Sequence, residues 1–355
     1  MRALRSSVLL AWAAAVVAGL GGCGSQDPDE LPPAAEPPRS PALTTTPEGR
    51  VTSVGARPEG IVADPGSGLL AVSLRGRPEL AIVRASTGKV VRRVSLPGAA
   101  RHLQLAGGGT PEARVLVPDE AGNELLQVAI GGRYEGREVP VGRVVARART
   151  GRQPHDATPL GDGAEVAVGA EAGDLLQIVR GDRVVRQRRI ALQPGGLATL
   201  DGGRVIAVVS VRERVLELYD ARTLERLASA PAGVGPTHVV CRTQTLCYVA
   251  DTTGQSVLVF RWQDGELDLT RRQYLTSEPY GLALDEQRDR LWVTLPAQNR
   301  VVDLIAGAKT KPLRTVATVR QSESVAVDPT DGHVVVTGLD AGVLQSVPPL
   351  TAARR

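Results

Sequence analysis

Aromatic side chains are scarce in this sequence. Phe, Trp and Tyr together make up 3% of its 355 residues, and most of them lie between Tyr219 and Trp292. This scarcity argues against a sugar-binding platform built from stacked rings. The sequence also has no GxSxG elbow, no HExxH motif and no phosphate-binding loop. Several common classes of hydrolase and nucleotide-binding enzyme are therefore not indicated.

Lysine and net charge are also low. Only Lys89, Lys309 and Lys311 are lysines, and 42 basic residues face 38 acidic ones, for a net charge of +4. Loss of a leader that carries Arg2 and Arg5 would lower this charge by two, to about +2. The arginines are scattered, so we expect no nucleic-acid partner.

The first 22 residues have the zones of a secretory leader. Arg2 and Arg5 precede an apolar run over Val8–Leu20 that is too short and too rich in Ala for a comfortable membrane span. The sequence Leu20-Gly21-Gly22-Cys23 resembles a bacterial lipobox. That resemblance implies cleavage after residue 22 and lipidation of Cys23, which would anchor the chain to the cell membrane. The alternative is an ordinary secretory leader with an incidental cysteine.

Residues 23–47 are rich in proline, with Ser, Thr, Glu and Asp between the prolines. Such a segment cannot bury enough apolar surface to order itself. We therefore expect a disordered, semi-rigid tether that leaves the folded domain at its outer edge.

Residues 48–351 are strand-like and repetitive. Short apolar runs alternate with Gly, Pro, Asp and Asn clusters, and the turns that lead into each unit recur about every 40 residues. These leading turns fall near Pro58, Ala100, Pro154, Pro194, Pro236, Pro279 and Ser322. A 40-residue period with four short strands predicts a propeller blade. The longer second gap indicates an insertion over Val144–Thr150.

The last repeat has only three strands of its own. Arg50–Val54 resembles the outer strands of the other units and can supply the missing one, which removes free sheet edges. The predicted fold is therefore all-β: a seven-bladed β-propeller of four-stranded antiparallel blades, closed by its N-terminal strand.

The repeats resemble YVTN-type propeller repeats over roughly residues 50–350. The matching pieces are Pro58-Glu-Gly-Ile-Val-Ala-Asp-Pro, Thr87-Gly-Lys-Val-Val, Pro279-Tyr-Gly-Leu-Ala-Leu-Asp and Val249-Ala-Asp-Thr-Thr-Gly-Gln-Ser-Val-Leu-Val-Phe. The resemblance implies an exported binding scaffold more often than an enzyme.

Two cysteines follow Cys23. Cys241 and Cys247 flank one predicted hairpin on the face opposite the leading turns, close enough to bridge. An oxidising exported setting favours a disulfide between them. The alternative is a pair of reduced thiols.

Polar residues of the leading turns should surround one end of the central channel. This candidate ligand-binding rim consists of Glu59, His102, His155, Asp156, His238, Tyr280 and Glu323. The loops between second and third strands add Asp119, Glu120, Glu171, Asp174, Glu213 and Asp251. The three rim histidines are expected at equivalent positions of different blades, whereas His333 is expected in a solvated turn.

Two hypotheses follow from this rim. One is a divalent metal or acid–base site made of His102, His155 and His238 with Asp119, Glu171 or Asp251. The other is a wet rim that contacts a ligand or a partner protein. No cofactor is predicted under the second hypothesis, which is preferred.

Two propeller enzyme families offer partial resemblances. Glu59-Gly60 resembles the metal-binding Glu-Gly of gluconolactonase-like propellers, but Tyr280 stands where an Asn ligand is expected. Propeller lyases use a channel histidine as base, for which His155 or His238 would be suitably placed. The sequence therefore predicts a monomeric, membrane-anchored, extracytoplasmic scaffold that binds a ligand or an envelope protein, peptide or wall component. A hydrolase or lyase is the alternative.

Overall fold

The computed structural model describes residues 31–242 and 244–349. In this part of the chain the strands form seven four-stranded antiparallel sheets and one two-stranded hairpin. Within the described residues, helix is confined to three single 3-10 turns, Glu171–Gly173, Asp201–Gly203 and Pro296–Gln298. The seven-bladed β-propeller predicted from the repeats is confirmed. Residues 1–30, with the predicted signal peptide and Cys23, lie outside the described residues.

The first three blades follow the predicted plan of inner, two middle and outer strands. Blade 1 holds β2 (Pro58–Asp64), β3 (Leu69–Leu74), β4 (Glu79–Arg84) and β5 (Lys89–Ser95). Blade 2 holds β6 (Gln104–Ala106), β7 (Arg114–Asp119), β8 (Glu124–Ala129) and β11 (Val144–Arg149). Blade 3 holds β12 (Pro154–Leu160), β13 (Glu165–Ala170), β14 (Leu175–Arg180) and β15 (Arg183–Arg189).

The remaining blades repeat this order. Blade 4 holds β16 (Pro194–Leu200), β17 (Val205–Ser210), β18 (Val215–Asp220) and β19 (Arg226–Pro231). Blade 5 holds β20 (Pro236–Arg242), β21 (Leu246–Asp251), β22 (Ser256–Gln263) and β23 (Glu266–Tyr274). Blade 6 holds β24 (Leu282–Asp285), β25 (Arg290–Leu295), β26 (Arg300–Ile305) and β27 (Pro312–Ala317). Blade 7 holds β28 (Val325–Val327), β29 (Val334–Gly338), β30 (Val343–Val347) and β1 (Arg50–Ser53).

The insertion was predicted at the wrong place. Val144–Arg149 is the outer strand of blade 2 and pairs with β8. The extra residues instead form the small hairpin of β9 (Arg133–Tyr134) and β10 (Arg137–Glu138). Both segments are short and strand-like, so their residue pattern alone did not show which of them completes the sheet.

Burial follows the position of a strand within its blade. The middle strand β3 is buried at every position, whereas the outer strand β5 is mostly exposed. A middle strand lies between two neighbouring blades, so both of its faces must be apolar. An outer strand faces solvent and carries arginine and lysine. This gradient explains why the repeats contain continuous apolar runs rather than strict alternation.

The core is divided into seven apolar layers, and each layer lies between two adjacent blades. The layer between blades 1 and 2, for example, joins Leu80 and Ile82 to Val115, Val117 and Leu126. Equivalent clusters occupy the other six interfaces. One of them joins blade 7 back to blade 1, so the last interface exists only because the ring closes.

The closing blade is the one predicted. β1 pairs with β30 in antiparallel register from Arg50↔Ser346 to Ser53↔Val343. Behind this pair, the fully buried Gln345 amide accepts a hydrogen bond from Val319 N and donates to the carbonyls of Glu48 and Ala317. One side chain thus ties the N-terminal strand to blades 6 and 7.

The predicted disulfide between Cys241 and Cys247 is confirmed, with a Cα–Cα distance of 4.0 Å. The two residues are opposite each other in the hairpin of β20 and β21. This hairpin lies at the channel end opposite the leading turns, as expected. Separately, none of the helices in the described residues is long and apolar enough to cross a membrane.

Replacement of Gln345 tests how far stability depends on closure. Gln345→Leu leaves the Val319 N–H and two carbonyls without this buried partner, which should cost roughly 1 to 3 kcal/mol of unfolding free energy. Urea unfolding of the variant measures this cost. Gln263→Leu, at an exposed position of β22, is the matched control and should change stability little. Equal effects of the two changes would contradict the role assigned to Gln345.

Candidate functional site

The inner strands of blades 1, 3, 4 and 5 begin with a bulge. Their pairing shifts register just after the leading turn, between Pro58 and Ile61 in blade 1 and between Pro236 and Val239 in blade 5. Bulges re-aim side chains at the ends of strands. We call the end of the channel encircled by these turns the mouth, and the opposite end the hairpin end.

The register shows which residues are equivalent around the mouth. The first position after the leading turn is occupied by Glu59, Arg101, His155, Gly195, Thr237, Tyr280 and Glu323. The second position is occupied by Gly60, His102, Asp156, Gly196, His238, Gly281 and Ser324. The prediction that all three histidines are equivalent is wrong, because His155 precedes the position that His102 and His238 share.

Glycines at the second position let neighbouring blades approach. A Cβ on Gly281 would lie 2.3 Å from the carbonyl oxygen of Glu323 in the next blade. A Cβ on Gly196 would lie 3.1 Å from the Cα of His238. The larger side chains at this position are His102, Asp156 and His238.

The three histidines and Tyr280 form one connected cluster across the channel, here called the histidine cluster. The His102 ring centroid lies 4.5 Å from that of His155 and 4.8 Å from that of His238, and the latter pair is stacked. The ring of Tyr280 meets His238 edge-on at 4.5 Å. The structure therefore brings four of the predicted rim residues into direct contact.

The histidines of this cluster carry different charges. Burial lowers the pKa of His238 to about 3 and that of His102 well below its usual range. The positive charge of the nearby His155 acts in the same direction on both. Burial also acts to lower the pKa of His155, but hydrogen bonds to Glu120 and Glu171 outweigh it and raise the value to about 9. At neutral pH the cluster thus has one cationic ring and two neutral ones. Nδ1 of His238 is buried and has no hydrogen-bond partner in the described part of the chain.

Glu59 is held by two arginines rather than left open for a metal. Its carboxylate lies 2.8 Å from Nη1 of Arg75 and 3.0 Å from Nε of Arg101. This arrangement neutralises the residue that resembles the gluconolactonase metal ligand. Arg101 occupies the first mouth position of blade 2, and sequence reasoning missed it because this blade has no proline to mark its leading turn.

Asp156 faces the protein backbone more than the channel. It accepts hydrogen bonds from Leu197 N and Ala157 N at 2.8 Å each, and Gln104 Nε2 lies 3.2 Å away. Burial nevertheless raises its pKa to about 6. The main role of Asp156 is therefore to join the inner strands of blades 2, 3 and 4.

The acidic residues of the loops divide into two groups. Asp251 accepts from Val234 N and Gly235 N, and Asp119 accepts from Gly122 N, so both stabilise turns. Asp174 and Glu213 likewise accept backbone N–H groups, at Gln193 and Leu192. Glu120 and Glu171 are different, because each lies 3.1 Å from Nδ1 of His155. His333 lies at the hairpin end beside Asp331, away from the cluster.

A segment expected to be disordered lies across the mouth. Residues 32–47, here called the strap, belong to the same compact unit as the propeller. Ala34 packs against the layer between blades 4 and 5, and Ala35 lies against Gly235 of blade 5. Glu36 lies 3.8 Å from Arg101, in blade 2 on the opposite side of the ring. The chain therefore passes over the channel opening.

The end of the strap is fixed at blades 6 and 7. Ser40 N donates to the Gln321 side chain at 2.9 Å, Gln321 N donates to the Ser40 hydroxyl at 2.7 Å, and that hydroxyl donates to Pro296 O at 2.7 Å. Nε2 of Gln321 also donates to Pro38 O at 3.0 Å. The prediction of a free tether is wrong for this part, as is its exit at the outer edge. The strap cannot order itself, but hydrogen bonds between the propeller and the backbone and Ser40 side chain of the strap hold it in place.

Beneath the histidine cluster the channel widens into a chamber of about 430 Å³. Its walls come from the later part of the inner strands, including Ile61, Leu105, Leu197 and Val240. His102, His238, Asp156 and Gln104 also line it, on the side towards the mouth. Val62, Leu105 and Val240 are only partly buried, so solvent reaches the chamber from the hairpin end.

Comparisons with known proteins identify the fold but no family. No protein-family model matches the chain, and no curated protein matches its sequence. The resemblance to YVTN-type repeats therefore stays a prediction.

Three solved structures share the propeller. Kuenenia stuttgartiensis hydrazine synthase has a TM-score of 0.69 at 14% identity, covering 88% of this chain and 100% of the matched one. The Myceliophteria thermophila Cps50 (Swd1) β-propeller domain has a TM-score of 0.68 at 12% identity, covering 84% and 100%. A chain of a mitotic checkpoint complex has a TM-score of 0.68 at 13% identity, covering 98% and 100%. At such identities the likeness shows the fold alone.

Glu323 provides a test of the electrostatics at the mouth. Burial and then the charge of Glu59 raise its pKa from 4.5 to about 7, against the opposing effects of Arg101 and Arg75. Because the folded-state pKa is above the unfolded one, stability falls as the pH rises from about 4.5 to about 7. Glu323→Gln keeps an acceptor for the Gln321 amide and removes this loss. The variant should exceed the wild type by up to about 3 kcal/mol at pH 8 and by less than about 1 kcal/mol at pH 5.

Urea unfolding at the two pH values measures this difference. Glu266→Gln, at an exposed position of β23, is the control and should show no such change between pH 5 and pH 8. A gain for Glu323→Gln that is the same at both pH values would show that the carboxyl does not titrate as described.

Proposed function

We propose that this protein is a lipid-anchored, extracytoplasmic binding protein that takes a small ligand into the chamber from the hairpin end of its channel. The observation that carries the proposal is that the strap covers the mouth, whereas the chamber is open at the hairpin end. The strap occupies the mouth, so the channel is accessible mainly from the other end. Ligand sites are concave and a few hundred Å³ in volume, combining apolar walls with a small number of polar groups, and the chamber has this size and this mixture.

The lining of the chamber suits a ligand with an apolar body and one hydrogen-bonding head. Aliphatic side chains form most of the wall, while neutral His102 and His238 and the Gln104 amide lie at its inner end. The unpartnered Nδ1 of His238 is a polar atom for which such a head would provide a partner.

The N-terminal sequence supports the location. A leader followed by a lipobox-like Leu20-Gly21-Gly22-Cys23 favours export and lipidation. The Cys241–Cys247 disulfide is what an oxidising compartment favours. Only eight residues separate Cys23 from the start of the strap, and the chain from residue 23 to residue 32 reaches about 30 Å when fully extended. A lipid on Cys23 would therefore turn the mouth towards the membrane and the hairpin end away from it.

The alternative, a hydrolase or lyase, has weaker support. A general base works best when its pKa is near the operating pH. The pKa of His238 is about 3, and His155 holds its proton to about 9. The metal carboxylate of a lactonase-like site, Glu59, is engaged by Arg75 and Arg101. Binding is therefore favoured over catalysis at the histidine cluster.

Lipidation can be tested on the full chain in a bacterial host. We expect the protein to fractionate with membranes and to carry acyl chains on Cys23, shown by the mass of its N-terminal peptide. Cys23→Ser should abolish both, because the thiol is the acceptor of the lipid. Cys241→Ser is the control and should keep the acyl mass. A wild-type protein recovered without acyl mass would contradict the anchored location.

Ligand uptake can be tested by filling the chamber. Thr199 lines it and belongs to none of the apolar layers, so Thr199→Trp should occupy the space with little effect on the core. We expect the full chain carrying Cys23→Ser to bind the fluorescent probe 1-anilinonaphthalene-8-sulfonate, and Thr199→Trp to weaken binding at least tenfold. Thr223→Trp, on the exposed surface of blade 4, is the control. Equal titrations of both variants would place the probe elsewhere and remove the support for a chamber ligand.

A further inference from the structure

Three potential metal ligands from three different loops meet beside the mouth. Glu120 follows the second strand of blade 2, His155 begins the inner strand of blade 3, and Glu171 opens the 3-10 turn after the second strand of blade 3. One atom from each of them lies within 4.8 Å of the other two. Among the described residues, this is the one group of at least three His, Cys, Asp or Glu side chains whose ligand atoms all lie within 4.8 Å of one another.

The spacing of these atoms is close to what a bound ion requires. Nδ1 of His155 lies 3.1 Å from Oε1 of Glu120 and 3.1 Å from Oε2 of Glu171. An ion with ligands at about 2.0 to 2.2 Å, arranged between octahedral and tetrahedral angles, holds those ligands roughly 3 to 3.5 Å apart. A cation could therefore enter with small side-chain movements.

The surroundings also favour a cation. Nε2 of Gln193 donates to Oε1 of Glu171 at 2.5 Å, which fixes this carboxylate and leaves its other oxygen directed at His155. Such support of a ligand by a second residue is typical of metal sites. Two carboxylates and a neutral imidazole sum to −2, which a divalent ion balances. The nearby charge of Arg101 is paired with Glu59.

The site also has room for ligands other than protein. His155 is 9% exposed, whereas the side chains of Glu120 and Glu171 are 20% and 19% exposed. Three protein ligands on one side and solvent on the other match an open metal site, with water completing the coordination. One nitrogen and two oxygens suit zinc or manganese better than calcium, which prefers oxygen alone.

We propose that Glu120, His155 and Glu171 bind one divalent transition-metal ion at the mouth, at a site distinct from the chamber. The set differs from the one expected from sequence. His102 stacks on His238, and His238 meets Tyr280 edge-on, so these two histidines are not part of the set. Asp119 and Asp251 stabilise turns. The competing arrangement is an ion pair between a protonated His155 and the two carboxylates, which requires no metal.

Calorimetric titration of the untagged full chain with zinc chloride, after treatment with a chelator, distinguishes these arrangements. We expect one equivalent of zinc per chain and weaker binding of manganese, following the usual order of affinities. Glu120→Gln and Glu171→Gln should each lower zinc affinity at least tenfold, since each removes a charged ligand. Calcium chloride should give no comparable signal.

Two matched variants separate the site from adventitious binding. Glu213→Gln changes the acidic residue of the next blade's equivalent loop, and His333→Gln removes the histidine at the hairpin end. Both should bind zinc like the wild type. Circular dichroism and thermal unfolding without metal check that each variant is folded, and if Glu171→Gln is not, Glu120→Gln decides. No stoichiometric zinc in the wild type, or unchanged affinity in the folded Glu-to-Gln variants, would overturn the site.

Discussion

Each blade of this protein is a sheet whose middle strands are apolar on both faces, so no blade can be stable without a neighbour on either side. The seven apolar layers between blades satisfy this requirement only if the ring closes. Closure depends on β1, which pairs with β30 although nearly 300 residues separate them in sequence. The buried Gln345 amide joins the same strand to the backbone of two blades. Because the inner strands surround the channel only in the closed ring, the positions of the channel side chains depend on this closure.

Closure also explains the charges at the mouth. The ring draws ionisable groups from several blades into a space with little water, where burial disfavours charge unless a partner compensates. Without a bound ion, two carboxylates keep His155 cationic, whereas the pKa values of His102 and His238 fall and both are neutral. Three histidines with the same intrinsic chemistry thus differ because their neighbours come from different blades. No residue pattern within a single repeat carries that information.

The sequence predicted what local repetition encodes. The leading turns, the Asp-led hairpins and the alternation of apolar runs identified seven blades, and the missing strand of the last repeat identified β1 as its completion. Cys241 and Cys247 were predicted to bridge because one hairpin contains both. The role of Glu59 was not predictable, since Arg75 and Arg101 approach it from a loop and from the next blade. The strap was also missed, because composition shows that a proline-rich segment cannot fold alone but not that other residues can hold it.

The strap gives the two ends of the channel different roles. Gln321 reaches the strap with both its backbone and its side chain, and Arg101 shares its charge between Glu59 and the more distant Glu36. These contacts leave the mouth a polar, partly covered surface on which a small cluster such as Glu120, His155 and Glu171 can persist. In the described part of the chain the strap does not reach the hairpin end, and most of the side chains that line the chamber are aliphatic. Under the proposed anchoring through Cys23, the mouth would face the membrane surface and the chamber would open away from it. In that orientation the chamber, rather than the rim, would be accessible to a ligand outside the membrane.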